Sequence, residues 1–409
     1  MTEFNDTSIE ELFDDLHTTP DRDETLAALE ERQATAETLN RLAEDEPKGL
    51  ISVMDEHDRL SVPGSFTDVL TAETARIETV SGDIRARAPE QSERILSIQT
   101  AVVEVLETLA QDEVEGVFGP LNEGLDDDGA ALLSAVVPLL KSEHPPLLEA
   151  VSGLVESLFD FPQSTDQLGH IVETAPNDLF TTLGSRINHP HDSVCINCTR
   201  TILATAAVEP QFVVSLDPTS ISNLVDNLDS SRREIRTLTV TTLRQLADAD
   251  GEAVLATDGV VDALLPLLED PEDNVRNMSL SVLLFLTNAD GEAVLTTNGV
   301  VDALIPLLKD SEDDVQTTAL AVLVQLANTD GEAVLATDGV VDALLPFFED
   351  PEDNVRASAL AALKQLADAN GGAVLATDGV VNALLPCLED SEDSVRNMSL
   401  AVLEQLARA

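Results

Sequence analysis

The sequence predicts an all-α protein built as a solenoid of stacked helical repeats, and three observations carry that prediction. The segment GEAVLATDGVVDALLPLLED at 251–270 returns from Gly291, Gly331 and Gly371, and a more diverged unit from Gln211 shares the ending TLRQLADAD, so the period is 40 residues without insertion. Apolar residues within each unit recur at helical spacing, with no alternating strand pattern in this half of the chain. One unit cannot bury its apolar faces alone, so neighbours must stack to make a continuous core.

Each unit carries three helices. The first, EAVLAT, follows Asp250 as N-cap and ends at Asp258-Gly259, where glycine supplies a turn that a Cβ resists. The second, VVDALLPLLE, is apolar nearly all round and is therefore expected between neighbours, with Pro266 removing a backbone donor and bending it. The third opens at DPEDNV: Asp270 is the expected cap, Pro271 the first helical residue, and Glu272 and Asp273 complement the helix dipole. Val275, Ser279, Val282, Leu283 and Leu286 then form its core stripe.

The succession of short helix, glycine, apolar second helix and long third helix resembles the armadillo repeat, and LLEDPEDNVR resembles the HEAT repeat, with Asp and Arg six residues apart. The matching residues are Asp270 and Arg276, Asp350 and Arg356, Asp390 and Arg396. The resemblance implies a right-handed superhelix, a ladder of side-chain bonds between stacked units, and a concave groove lined by third helices that binds a protein or peptide. Gln316 stands where the ladder expects arginine. Three regions follow: five regular repeats at 211–409, degenerate repeats at 91–210, and an acidic helical region at 1–90. In the degenerate part Pro138 and Leu147 keep the spacing of Pro266 and Val275, and Val194 aligns with Val275. SIEELFDDL sets Ile9, Leu12, Phe13 and Leu16 on one helix face, as a cap on the open end or a docking motif.

There are 77 acidic against 22 basic residues and a net charge of −55. This balance resembles that of proteins from salt-in halophilic archaea; in molar salt the Debye length is about 3 Å and such self-repulsion is screened. It argues against a nucleic-acid groove, which needs clustered Lys and Arg. No basic leader and no apolar run near the ~20 residues of a membrane span is present, and three cysteines make no disulfide framework. A reduced, cytoplasmic protein without cofactor is expected.

Comparing the copies with one another isolates a variable face. First and second helices are nearly constant, even at Thr257, Thr297, Thr337 and Thr377, whereas the third helices diverge. One column reads Leu284, Val324, Lys364, Glu404, the next Phe285, Gln325, Gln365, Gln405, a third Asn288, Asn328, Asp368, Arg408, all away from the core stripe with Asn277, Thr317, Ala357 and Asn397. The armadillo resemblance places a partner-binding asparagine where this chain has Gln245, Phe285, Gln325, Gln365 and Gln405, and a tryptophan where it has Thr241, Ser281, Ala321, Ala361 and Ala401. Glutamine still offers an amide to a peptide backbone. Arg244 and Lys364 flank an apolar patch of Leu284, Phe285 and Val324, the expected binding centre; drift at exposed positions is the competing explanation.

One stretch offers metal chemistry. His189, His191, Cys195 and Cys198 supply four N and S ligands suited to tetrahedral zinc, although Cys198 aligns with core Ser279. No phosphate loop, nucleophile elbow or His-Glu dyad is present, so catalysis is not expected. The last third helix keeps Leu400 and Leu406 like its internal copies, which predicts a partly exposed edge or end-to-end pairing into a homodimer.

Overall fold

A computed structural model describes residues 12, 15–16, 26–45, 50, 66–74, 89–118, 125, 127–160, 165–176, 178–208 and 216–408. Among them every regular element is a helix, and they divide into two units, Met1–Asn223 and Leu224–Ala409.

The first unit holds α1 (Leu26–Asp45), α2 (residues 66–74), α3 (Pro89–Phe118), α4 (Asp127–Val136), α5 (Pro145–Asp160), α6 (Thr165–Thr174), α7 (Leu179–Gly184) and α8 (Asp192–Val208), and α9 (Pro218–Asn227) spans the division. α1 packs on α3, α3 on α5 and α5 on α8. A buried ion pair, Arg32 to Glu73 at 2.6 Å, ties α1 to α2, and Arg32 also donates to the carbonyl of Leu16 at 3.2 Å. Leu16 is fully buried and Leu12 half-buried, while Ile9 and Phe13 lie outside the described residues. After α4 a 3-10 turn over Val137–Lys141 carries Pro138 at its start, and Leu147 is fully buried, which reproduces the local geometry around Pro266 and Val275.

The second unit holds α10 (Arg233–Ala249), α11 (Gly251–Leu255), α12 (Val260–Leu264), α13 (Asp273–Leu295), α14 (Val300–Leu307), α15 (Asp313–Leu335), α16 (Val340–Leu344), α17 (Asp353–Leu375), α18 (Val380–Cys387) and α19 (Asp393–Leu406). Helices α13, α15 and α17 each run a third helix into the next unit's first helix across one residue of non-helical backbone: Asp290, Asp330 and Asn370. That residue is the N-cap expected from the sequence, since Asp250, Asp290, Asp330 and Asn370 accept from the N–H three residues on at 3.0 to 3.1 Å. α13 has the length and composition of a membrane span, but the break at Asp290 makes it two helices packed against α10 and α15. The turn glycines Gly259, Gly299, Gly339 and Gly379 sit at φ of 78° to 89°, a region that costs other residues about 1–2 kcal/mol.

The glycine that opens GEAVL has a different reason. A Cβ on Gly251 would stand 3.0 Å from the carbonyl oxygen of Phe285 and from Cβ of Ala289, and one on Gly331 would stand 3.0 Å from the carbonyl of Gln365. Glycine here lets the first helix of a unit rest on the third helix of that same unit.

Two local expectations are corrected. The second helix ends around its proline: in two units it tightens there into a 3-10 turn, Leu265–Glu269 and Leu345–Glu349, and in α14 and α18 the proline sits in the last turn, so the backbone bond it removes is one of the helix's last. The third helix starts at Asp273, after Glu272 in extended backbone, so Asp270 is not its cap and Pro271 is not its first residue. Asp270 Oδ1 instead accepts from the N–H of Glu272 at 3.0 Å, a turn that leaves Oδ2 free for the arginine of the preceding unit.

That arginine builds the ladder. Arg236 reaches Asp270 at 3.0 Å, Arg276 reaches Asp310 at 2.9 Å and Arg356 reaches Asp390 at 2.9 Å, the last two with both carboxylate oxygens engaged. Each arginine also donates to a backbone carbonyl six residues earlier, at Ser230, Asp270 and Asp350. Gln316 keeps that backbone bond, to Asp310, but offers no cation to Asp350. Arg396 turns to Asp393 in its own helix. Burial works against the charge of Asp310, but the Arg276 hydrogen bond and the Glu312 N–H outweigh it and hold its carboxyl below the usual range; the Glu392 N–H and Arg356 do the same for Asp390. Groups depressed in this way stabilise the fold above the ordinary carboxylate range, and the contribution is lost as pH falls through about 4 and below.

The core stripe is buried as expected, and Leu280, Leu320 and Leu360 join it at 0 to 2 % exposure. Their counterpart Leu400 is 50 % exposed, so it is the following unit that covers this position. Leu406 is buried, against the expectation that it shares the exposed edge; that edge is made by Leu375, Val381, Leu385 and Leu400.

Replacing Gln316 with arginine should complete the missing rung to Asp350 and stabilise the second unit by about 1 kcal/mol. Urea unfolding at neutral pH measures the gain, and equal midpoints for the two proteins would count against the missing rung.

Candidate partner-binding face

The third helices α10, α13, α15, α17 and α19 stack in order, each against the next. Helical periodicity then brings the variable columns into one strip. Arg244, Gln245, Leu284, Phe285, Val324, Gln325, Lys364, Gln365 and Gln405 are half-buried and Glu404 is exposed, so the strip is a shallow trough flanked by the core and not a fully solvated face. The third column, Asn288, Asn328, Asp368 and Arg408, is exposed along its edge.

The polar members of the strip bond to one another. Gln325 Nε2 donates to Asn288 Oδ1 of the preceding unit, and Gln325 Oε1 accepts from Asn328 Nδ2 at 3.1 Å, which makes an amide chain across two units. Thr318 Oγ1 likewise donates to Asn277 Oδ1 at 3.0 Å. A peptide backbone engaging Gln325 must therefore replace bonds already present, whereas Gln365 and Gln405 have no side-chain partner among the described residues. Lys364 pairs with Asp368 at 2.5 Å, Arg408 with Glu404 at 3.7 Å, and Arg244 donates to Gln245 at 3.2 Å.

The positive charges of the third helices thus divide into two jobs. Arg236, Arg276 and Arg356 are committed to the ladder, with 12 to 16 % exposure, and Arg396 pairs with its own helix. Arg244 and Lys364 remain beside Leu284, Phe285 and Val324, the apolar part of the trough. At the position of the family's tryptophan, Thr241 and Ser281 bond back to their own helix at 2.7 and 2.9 Å, so the floor there is small and satisfied. The ladder arginine Arg236 was missed by matching Asp-Arg pairs within one unit; its position 40 residues before Arg276 was the available signal.

The four residues of the zinc alternative do not come together. α8 turns Cys195 and Cys198 into the core, at 1 and 0 % exposure, with Cys198 in the place that Ser279 fills downstream. Burial, with Cys195 adding to it and Arg186 opposing, pushes the Cys198 thiol up to about 12, far from the thiolate that a metal requires. His189 and His191 stack on each other outside, with ring centroids 5.3 Å apart. Among the described residues no three metal-ligating side chains converge.

Comparison with known proteins agrees with this geometry. Residues 220–409 match the model of the plant U-box protein ARM repeat region. The crystal structure of an engineered protein superposes over 99 % of this chain and 99 % of its own, with a TM-score of 0.57 and 18 % identity. Computationally designed armadillo repeat proteins for modular peptide recognition superpose over 55 % of this chain and 99 % of theirs, with a TM-score of 0.51 and 20 % identity. No curated protein matches the chain. The fold is an armadillo-type α-solenoid, and its regular half is similar to the repeats of the plant U-box proteins.

Proposed function

We propose that the chain is a non-catalytic scaffold that binds a protein or peptide along the third-helix trough of residues 211–409, in a cytoplasm of high salt, with no nucleic-acid or membrane partner. The observation that carries this reading is the trough itself: half-buried Leu284, Phe285 and Val324, rimmed by amides and flanked by Arg244 and Lys364 on an otherwise acidic chain. The designed armadillo proteins of similar fold, described as made for modular peptide recognition, support the choice of occupant. The net charge of −55 supports adaptation to high salt.

Leu284→Ala with Phe285→Ala should weaken partner capture about tenfold or more while leaving the helical content unchanged. Affinity purification in molar potassium chloride, followed by a titration with the recovered partner, measures this; an unaltered partner set and affinity would sink the reading. Chelation separates it from a metal-dependent alternative built on His189, His191, Cys195 and Cys198: prolonged EDTA treatment should change neither melting temperature nor partner capture, and stoichiometric zinc in the purified protein would reverse that conclusion.

Pairing of two chains is a further proposal, and it rests on Leu375, Val381, Leu385 and Leu400, each 41 to 51 % exposed. Light scattering in molar salt should give a dimer mass that Leu385→Asp with Leu400→Asp reduces to a monomer; a monomer of the unmodified protein at all concentrations overturns it.

A further inference from the structure

Where α3 meets α5, carboxyl groups from both helices face each other. Glu104 and Glu107 belong to α3 and Glu149 and Glu156 to α5, while the charges of Glu44 and Glu37 on α1 also act on Glu104. Few groups offset this charge. Asn40 of α1 donates to Glu104 at 3.2 Å, and Arg200 of α8 lies 3.5 Å from Glu156, where Asp160 adds further acid.

Glu107 is the centre of the cluster. Its carboxyl rests on the backbone of α5 at Gly153, where a Cβ would stand 2.0 Å from Oε1, so the helices approach closely here because the side chain of residue 153 is absent. Glu107 is half-buried and has neither a hydrogen-bond partner nor a counter-ion among the described residues. A carboxylate in that position faces the costs of lost hydration and of like charge together. The register that sets Leu147 on Val275 also puts Gly153 at the position of Ser281 and Glu156 at that of Leu284, so this seam belongs to the same third-helix columns that form the trough downstream.

We propose that the α3–α5 seam is a proton-gated clamp, in which neutral Glu107 lets the two helices close on Gly153 and ionised Glu107 drives them apart. Burial first, then Glu104, Glu149 and Glu156, push the Glu107 carboxyl up to about 7. Glu104 is raised by burial, Glu44 and Glu37, and Glu156 by burial and Asp160 against the pull of Arg200. A carboxyl raised in the folded state contributes stability that is fully present below its unfolded value near 4.5 and is lost as pH rises through about 7. The clamp therefore opens across neutral pH, opposite in sign to Asp310 and Asp390, whose stabilisation is present at neutral pH and lost in acid.

The test uses the full chain and Glu107→Gln, an isosteric neutral mimic. Between about pH 5.5 and about pH 8.5 the unmodified protein should lose roughly 3–6 °C in melting temperature, and Glu107→Gln should remove most of that loss. Amide hydrogen exchange, corrected for its intrinsic pH dependence, should show protection in α3 and α5 falling with pH in the unmodified protein alone. Carbon-13 titration of the Glu107 carboxyl gives an answer even if the variant fails to fold: a midpoint near neutrality supports the clamp. In molar potassium chloride the midpoint should move down only in part, because burial outranks repulsion. Equal pH slopes in both proteins, or a midpoint in the ordinary carboxylate range, overturn the proposal.

Discussion

The second unit depends on one constraint: each repeat is completed by the repeat that follows it. Leu280, Leu320 and Leu360 are buried only because a neighbour covers them, as half-exposed Leu400 shows by contrast. Gly251 and Gly331 are glycine for a reason inside the unit, since its first helix must lie on the backbone of its own third helix. Stability in such an array is a sum of nearest-neighbour interfaces, so a uniform interface forces a uniform sequence. That is the physical reason why first and second helices are copied nearly unchanged.

Electrostatics is used in two opposite ways on this frame. The ladder gives Asp270, Asp310 and Asp390 each an arginine from the unit before it, and the carboxyls of Asp310 and Asp390 are held below their usual range. The α3–α5 seam gathers carboxyls with too few cations and places the central one against Gly153, where ionisation opposes packing. A chain with 77 acidic and 22 basic residues cannot pair every acid, so where its few arginines are spent decides which interfaces are firm. Four of the ten basic residues after Gln211 stand in the ladder register, which leaves Arg244 and Lys364 as the cations nearest the apolar part of the trough.

Periodicity made the second unit legible. The three helices, the core stripe, the caps at Asp250 and its copies and the glycine turns followed from local rules that each repeat obeys alone. The strip was legible as a set of columns, because a helix fixes which side chains share a face. Its depth and its internal bonds were not: whether Gln325 meets a partner or Asn288 depends on the distance between stacked helices, which no single unit encodes. The cysteine and histidine cluster was undecided for the same reason, since four candidate ligands within ten residues say nothing of which way α8 turns them.

By itself the sequence determined an all-helical array with a 40-residue period, its core-facing residues and the face on which its copies differ, because those depend on spacing along one helix. The tertiary structure alone decided which arginine meets which aspartate, that Asp270 serves a turn and a neighbouring unit instead of a cap, and that Glu107 lies against Gly153. These are contacts between elements far apart in the chain, and their geometry is set by how helices stack, not by the order of residues within any one of them.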